Sequence, residues 1–220
     1  RYDLLIPMED DTIRALIPHR KEIEKYTNFP LPATKYFEIA ADKKKTLEFA
    51  QKININIPQT FSNLETINLS TLTLPVVIKP TTGSGSRGLV YINDLPTLIS
   101  QVNYIKKAKI PAVIQERLPE SGEEVGVNLL FNHQHQPVAG FTYKRLRDFP
   151  VSGGPSTLRE STHDPELLQT ATKLLQKLNW VGVAMVEFKR DPRDGKTKLM
   201  EINPRFWGSL ALPISAGVDF

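Results

Sequence analysis

Two stretches of this sequence hold residues whose types and spacing could act together: VEFKRDPRDGKTKLMEINPR, 186–205, and KPTTGSGSRGL, 79–89. In the first, PRDG reads as a turn between two strands. Side chains alternate across a strand, so Glu201 and Asn203 share a face, and a hairpin centred near Asp194 sets Glu187 opposite Glu201. Carboxylates facing each other at about 5 Å repel by about 3 kcal/mol at an effective dielectric of 20, so something positive belongs between them. Two carboxylates and an amide oxygen are hard ligands suited to Mg²⁺, which takes its remaining oxygens from water and phosphate. Lys198, Arg193 or Lys189 could neutralise the pair instead; Asn203 and the following Arg205 favour the metal reading.

In the second stretch, glycines permit positive φ and close backbone approach, so Gly83, Ser84, Gly85 and Ser86 could point N–H groups and hydroxyls at one anion, with Lys79 and Arg87 adding charge. No GKS or GKT closes the loop and the next element reads as a strand, so this is not a P-loop. The plainer alternative is a hairpin loop. Lys144, Arg145 and Arg147 in YKRLRD, followed by SGGPS with Gly153 and Gly154, could bind a substrate carboxylate or phosphoryl oxygens. A basic strand edge with a glycine turn explains them equally well. His133 and His135 in NHQHQP read as a polar turn, and Trp180 and Trp207 as core or pocket wall.

Composition bounds these readings. The chain has 220 residues, 40% of them hydrophobic, enough for one sizeable domain or two packed lobes. With no cysteine, disulfides, thiolate metal sites and cysteine nucleophiles are excluded. A net charge of +4 with scattered lysines fits a small anionic ligand, and no strand alternates aromatic with basic residues as a nucleic-acid platform would. No apolar run approaches the roughly 20 residues that span a bilayer. The expectation is a soluble, cytoplasmic protein bound to neither nucleic acid nor membrane, and, since it opens on Arg1, a piece of a longer chain.

The elements that must position these residues follow from periodicity. RYDLLIP reads as a short strand, followed by a helix through Ile13, Leu16 and Ile17; NFPLPA is a connection, and Asp42 caps the helix KKKTLEFAQK. Beyond INIPQT a helix leads into an extended segment. LPVVIKP and LVYI flank the glycine loop, LPTLISQVNYIKKA is a helix and AVIQERL a strand. EEVGVNLLF and PVAGFTYKRL form a hairpin around NHQHQ, 148–164 is a polar loop, PELLQTATKLLQKLN a helix, and VGVAMVEFKRD pairs with KTKLMEIN. The fold class is α+β, two lobes joined near residue 118.

From about residue 36 to 208 this pattern resembles the ATP-grasp superfamily, and INPRFWGSL resembles its carboxylate–amine ligase and carbamoyl-phosphate-synthase-like branch. The resemblance implies an ATP-grasp fold, two α+β lobes clasping ATP, with 1–35 the end of a preceding α/β lobe, 36–118 the small lobe and hinge, and 119–220 the large lobe with the metal site. It implies that Lys79 and the glycine loop contact ATP phosphates together with Lys43, Lys45 being the alternative. It sets adenine against a hinge at Glu116, Arg117 and Leu118, and ribose on Glu124. The metal set becomes Glu187, Glu201 and Asn203 around Mg²⁺, with Mn²⁺ an alternative, while Arg205 and Lys79 serve catalysis. Lys144, Arg145, Gly153 and Gly154 become candidate substrate contacts. The implied activity is an ATP-dependent ligase that activates a small carboxylic acid as an acylphosphate for attack by an amine. Bicarbonate phosphorylation and a nucleotide-binding module without turnover are the alternatives, and a homo-oligomer is compatible with each.

Overall fold

The computed structural model describes residues 2–83, 87–150 and 154–220. Two antiparallel sheets form the two lobes. The smaller contains β1 (Thr60–Phe61), β2 (Val76–Pro80), β3 (Val90–Ile92) and β4 (Ala112–Glu116) in the order β1-β4-β2-β3. The larger contains β5 (Glu124–Phe131), β6 (Pro137–Asp148), β7 (Ser156–Thr162), β8 (Gly182–Arg190) and β9 (Thr197–Asn203) in the order β7-β6-β5-β8-β9.

Seven helices accompany them among the described residues: α1 (Asp10–Leu16), α2 (Arg20–Ile23), α3 (Thr34–Ala40), α4 (Lys43–Lys52), α5 (Leu95–Ala108), α6 (Pro165–Lys177) and α7 (Ala211–Ser215). Side-chain caps start the longer ones. Asp42 accepts from Lys45 N, Asp94 from Thr97 N and Asp164 from Leu167 N, each satisfying an N–H that the first helical turn leaves open.

Each sheet buries one face. Leu98, Val102 and Ile105 of α5 close over Val76, Ile78 and Ile114 of the small sheet. Leu167, Ala171, Leu174 and Leu175 of α6 cover Val125, Val127, Val186 and Phe188 of the large one. Ala40 and Ala50 belong to that same large core, so α3 and α4, expected with the small lobe, pack on the large sheet. The opposite faces of the two sheets turn toward each other, leaving alternate residues such as Lys79 and Glu187 on the cleft side.

Several elements depart from the periodicity reading. RYDLLIP forms only an isolated parallel bridge, Leu4 to Asn28, because no neighbouring strand pairs with it among the described residues. The helix expected after INIPQT is a two-residue strand and the 3₁₀ turn Leu69–Thr71. Within the expected polar loop 148–164 lies β7, an edge strand whose side chains are mostly exposed and therefore lack apolar alternation. The helix α3 was unforeseen between the prolines of NFPLPA and the Asp42 cap.

The N-terminal helix is firmly seated. Ile13 and Ile17 pack on Phe37, and Arg14 makes a bidentate pair with Glu38 at 2.7 and 2.8 Å. The chain just before α3 crosses the start of β8, where Gly182 has φ +83° and a Cβ would strike the Pro30 carbonyl.

Candidate active site

Between the sheets lies a cleft of about 800 Å³, lined by Lys43, Lys79, Arg117, Glu124, Glu187 and Glu201 among others. Strand alternation aims Val77 and Lys79 into it while Val76 and Ile78 enter the core.

The two glutamates face each other, Glu187 being the register partner of Glu201. A bulge produces this arrangement. Phe188 pairs with Leu199, so Met200 is an extra residue in β9. Without it Leu199 and Glu201 would share a face; with it, Leu199 and Ile202 both enter the core and Glu201 turns to the cleft.

The cations nearest the pair are not the three that the sequence offered as alternatives to a metal. Lys43 Nζ lies 3.1 Å from Glu201 and donates to the Gly83 carbonyl at 2.8 Å. Arg145 and Arg159 approach Glu187 at 3.6 and 3.9 Å. Tyr143 donates its hydroxyl to Glu187 at 3.2 Å, with the Arg159 guanidinium 4.5 Å above its ring. Gly126 makes room for that contact, since a Cβ there would overlap the Tyr143 ring. Lys189 instead pairs with Glu124, while Lys198 and Arg193 both bind Asp191 and Glu116.

Asn203 Nδ2 stands 3.3 Å from both glutamates, and its Oδ1 accepts from Arg205 Nη2 at 3.4 Å. Burial, together with the charge of Glu201, raises the Glu187 pKa to about 7, against the pull of Arg145 and Arg159. Burial would also raise Glu201, but Lys43 and its hydrogen bond outweigh it and hold that carboxyl below its ordinary value. Loss of hydration lowers Lys79 to about 8, with Lys43 adding to the fall and Glu201 opposing it.

The other expected residues have definite positions. Arg117 and Leu118 line the rear of the cleft, and Arg117 stacks 4.6 Å from the Tyr91 ring centroid. Glu116 also borders it, but its carboxylate is tied to Gln59 N, Lys198 and Arg193 at 2.8, 3.0 and 2.7 Å. Glu124 faces the cleft between Arg145 at 3.1 Å and Lys189 at 3.4 Å. Lys144 departs from the expectation: alternation along β6 turns it away from the main cleft to Glu160 at 2.9 Å, while Arg145 turns inward. Gly154 contributes its carbonyl to Arg145 at 2.6 Å. Ser84, Gly85, Ser86 and Gly153 lie outside the described residues. Lys45 supplies the N–H bound by Asp42, whereas the Lys43 side chain reaches the acidic pair.

Arg205 sits behind Asn203, half-buried, with Nη1 donating to Phe206 O at 2.9 Å and Nε 3.4 Å from Asp10 Oδ1. Asp10, Tyr143 and Arg159 were missed by the sequence reading. Local pattern carries no signal for them, because strand order and helix docking bring them to Glu187 and Arg205.

A match to the family described as the ATP-grasp domain spans residues 40–209. The chain belongs to the ATP-grasp family. The ATP-grasp stretch thus includes Lys43, Lys79, both glutamates, Asn203 and Arg205, but excludes Asp10. The chain is similar to D-aspartate ligase of Enterococcus faecium, 24% identical over 92% of this chain and 53% of that protein. It is also similar to the carbamoyl phosphate synthase large chain of Thermotoga maritima, 24% identical over 83% of this chain and 17% of that one. It therefore spans about half the length of the first relative and less of the second. Among solved structures, a biotin carboxylase complex with β,γ-ATP from Campylobacter jejuni superposes with a TM-score of 0.75 at 15% identity, covering 96% of this chain and 49% of that one. At that identity the likeness shows the ATP-grasp fold.

Proposed function

We propose that the chain is the nucleotide-binding and catalytic part of an ATP-dependent, ADP-forming ligase that joins a small carboxylic acid to an amine. The observation that carries this reading is the pair Glu187 and Glu201, opposed across β8 and β9 and bridged by Asn203, beside two lysines in one cleft. Similarity to a D-aspartate ligase supports it.

The donor set fits a hard divalent cation. One oxygen of each carboxylate, Glu187 Oε2 and Glu201 Oε1, meets the Asn203 amide N–H, and a half-turn of that amide would present oxygen instead. Mg²⁺, or Mn²⁺, held by Glu187, Glu201 and Asn203 would neutralise phosphate charge in the cleft. Lys79 and Lys43 are assigned to the phosphates. The Arg117–Leu118 wall would take the adenine and Glu124 the ribose.

With these groups fixed, a substrate carboxylate oxygen attacks the γ-phosphorus and ADP leaves. An amine then attacks the acyl carbon and phosphate departs with the carboxylate oxygen. Arg205 is assigned the charge that grows on the transferred group, and Arg145, inside the cleft, the acid. A cytoplasmic location is part of the same proposal, since that is where ATP is supplied. Bicarbonate as the acid is the second reading, favoured by the carbamoyl phosphate synthase relative.

Calorimetry with a nonhydrolysable ATP analogue tests the binding half of the proposal. Affinity should be at least about ten-fold higher with Mg²⁺ than with chelator. Equal affinity would remove the acidic pair from the nucleotide site.

A further inference from the structure

We propose that Asp10 is a positioning residue for Arg205: a carboxylate on the N-terminal helix, outside the ATP-grasp match, sets the guanidinium against Asn203, the residue that bridges the acidic pair. The proposal rests on the reading of Arg205 as the group that meets the transferred phosphoryl.

The three edges of the guanidinium have different partners. Nη1 and Nη2 contact neutral oxygens of its own chain segment, Phe206 O at 2.9 Å and Asn203 Oδ1 at 3.4 Å. Nε faces Asp10 Oδ1 at 3.4 Å, and Asp10 is its ion-pair partner among the described residues. Both side chains are largely shielded, at 19% and 26% exposure, so this charge pair is less screened than one on the surface. Asp10 Oδ1 is buried and has no hydrogen bond among the described residues; burial pushes its carboxyl above the ordinary value, and the Arg205 guanidinium is the strongest of the charges that oppose this, ahead of Arg14 and Lys43.

The carboxylate is also built into place. Helix α1 is docked by Ile13 and Ile17 on Phe37 and locked by the bidentate Arg14–Glu38 pair. None of those contacts needs Asp10. Apolar packing holds the helix, and the helix holds the acid against the arginine. A contact chain then runs from Asp10 through Arg205 and Asn203 to Glu201, which Lys43 holds at 3.1 Å. Loss of the Asp10 charge frees Nε to swing while Nη1 and Nη2 keep acceptors only on the local segment.

The test uses ¹⁵N-labelled full-length protein, with the Arg205 Nε–H resonance assigned by its loss in Arg205→Lys. Its exchange with water should be at least about five-fold slower in wild type than in Asp10→Asn, with Asp10→Glu recovering part of the protection. In parallel, ADP release is followed with whichever of bicarbonate, D-aspartate or D-alanine supports the fastest rate. Asp10→Asn should lower kcat about ten-fold at unchanged KM for ATP and melting temperature, and should have no further effect in an Arg205→Ala background. Equal exchange rates in wild type and Asp10→Asn, or an undiminished Asp10→Asn effect in the Arg205→Ala background, would overturn the proposal. Full turnover by Arg205→Ala would instead remove the catalytic reading on which it rests, and the exchange rates would still decide whether Asp10 fixes the guanidinium.

Discussion

Lys79→Met separates the stability of this cleft from its function, because the two should move in opposite directions. Lys79 is partly enclosed, and loss of hydration lowers its pKa from the ordinary 10.5 to about 8, with Lys43 nearby adding to the fall. A difference of about 2.5 pH units corresponds to about 3 kcal/mol of unfavourable charge burial. Solvent screening of the part that remains exposed reduces this to about 1.5 kcal/mol. Methionine keeps an unbranched apolar stem and removes the charge, so the variant should be more stable at pH 7, by about 3 to 6 °C in a chain of this size. Below pH 8 the folded and unfolded states both carry the Lys79 proton, and the advantage is constant. Above it the folded wild type releases that proton while the unfolded chain still holds one, so wild-type stability rises with pH and the advantage closes toward pH 10.5. Nucleotide affinity should fall about 10- to 100-fold, the size of a lost charge-assisted contact, whereas Lys107→Met on the exposed side of α5 should change neither quantity. Thermal unfolding at pH 7 and pH 10 and calorimetry with an ATP analogue read both effects. A lower melting temperature with unchanged affinity would refute the reasoning.

Two further predictions concern the acidic pair. Folded Glu187 keeps its proton to about pH 7 while the unfolded chain releases it near 4.5, so stability without a divalent cation should fall as pH rises between those values. Added Mg²⁺ should restore it; a flat profile in denaturant titrations across that window would contradict the pairing. Gly126→Ala should drive the Tyr143 ring off Glu187 and cost about 2 kcal/mol in the same titrations, and an unchanged midpoint would show that the strand accommodates a Cβ there.

How far the sequence reached is clear from Glu187 and Glu201. Counting outward from Asp194 pairs them correctly, yet Arg190 pairs with Thr197, a register centred half a residue earlier. The extra Met200 shifts the register between the two places, and that bulge has no signature in KTKLMEIN. Lys79 was legible because LPVVIKP is a strand followed directly by a glycine loop. Arg145 and Arg159 were not legible as partners of Glu187. Their approach depends on the order β7-β6-β5-β8, which turn chemistry does not encode. The strand β7 was hidden for a related reason: an exposed edge strand buries no alternate face and reads as a loop. Asp10 is more distant still, since its place beside Arg205 follows from Ile13 and Ile17 finding Phe37.

Transfer of carboxylate oxygen to phosphate tests the central claim most directly. The full-length protein would be supplied with ATP, Mg²⁺, an amine and, in turn, ¹⁸O-labelled bicarbonate, D-aspartate and D-alanine, and the released phosphate analysed by mass. If the cleft activates the acid as an acylphosphate, the carboxylate oxygen that attacked phosphorus leaves with it, and phosphate from the productive acid carries one ¹⁸O per turnover. Phosphate released without label in every case would mean that water is the acceptor, and would contradict the assignment of this cleft to carboxylate activation.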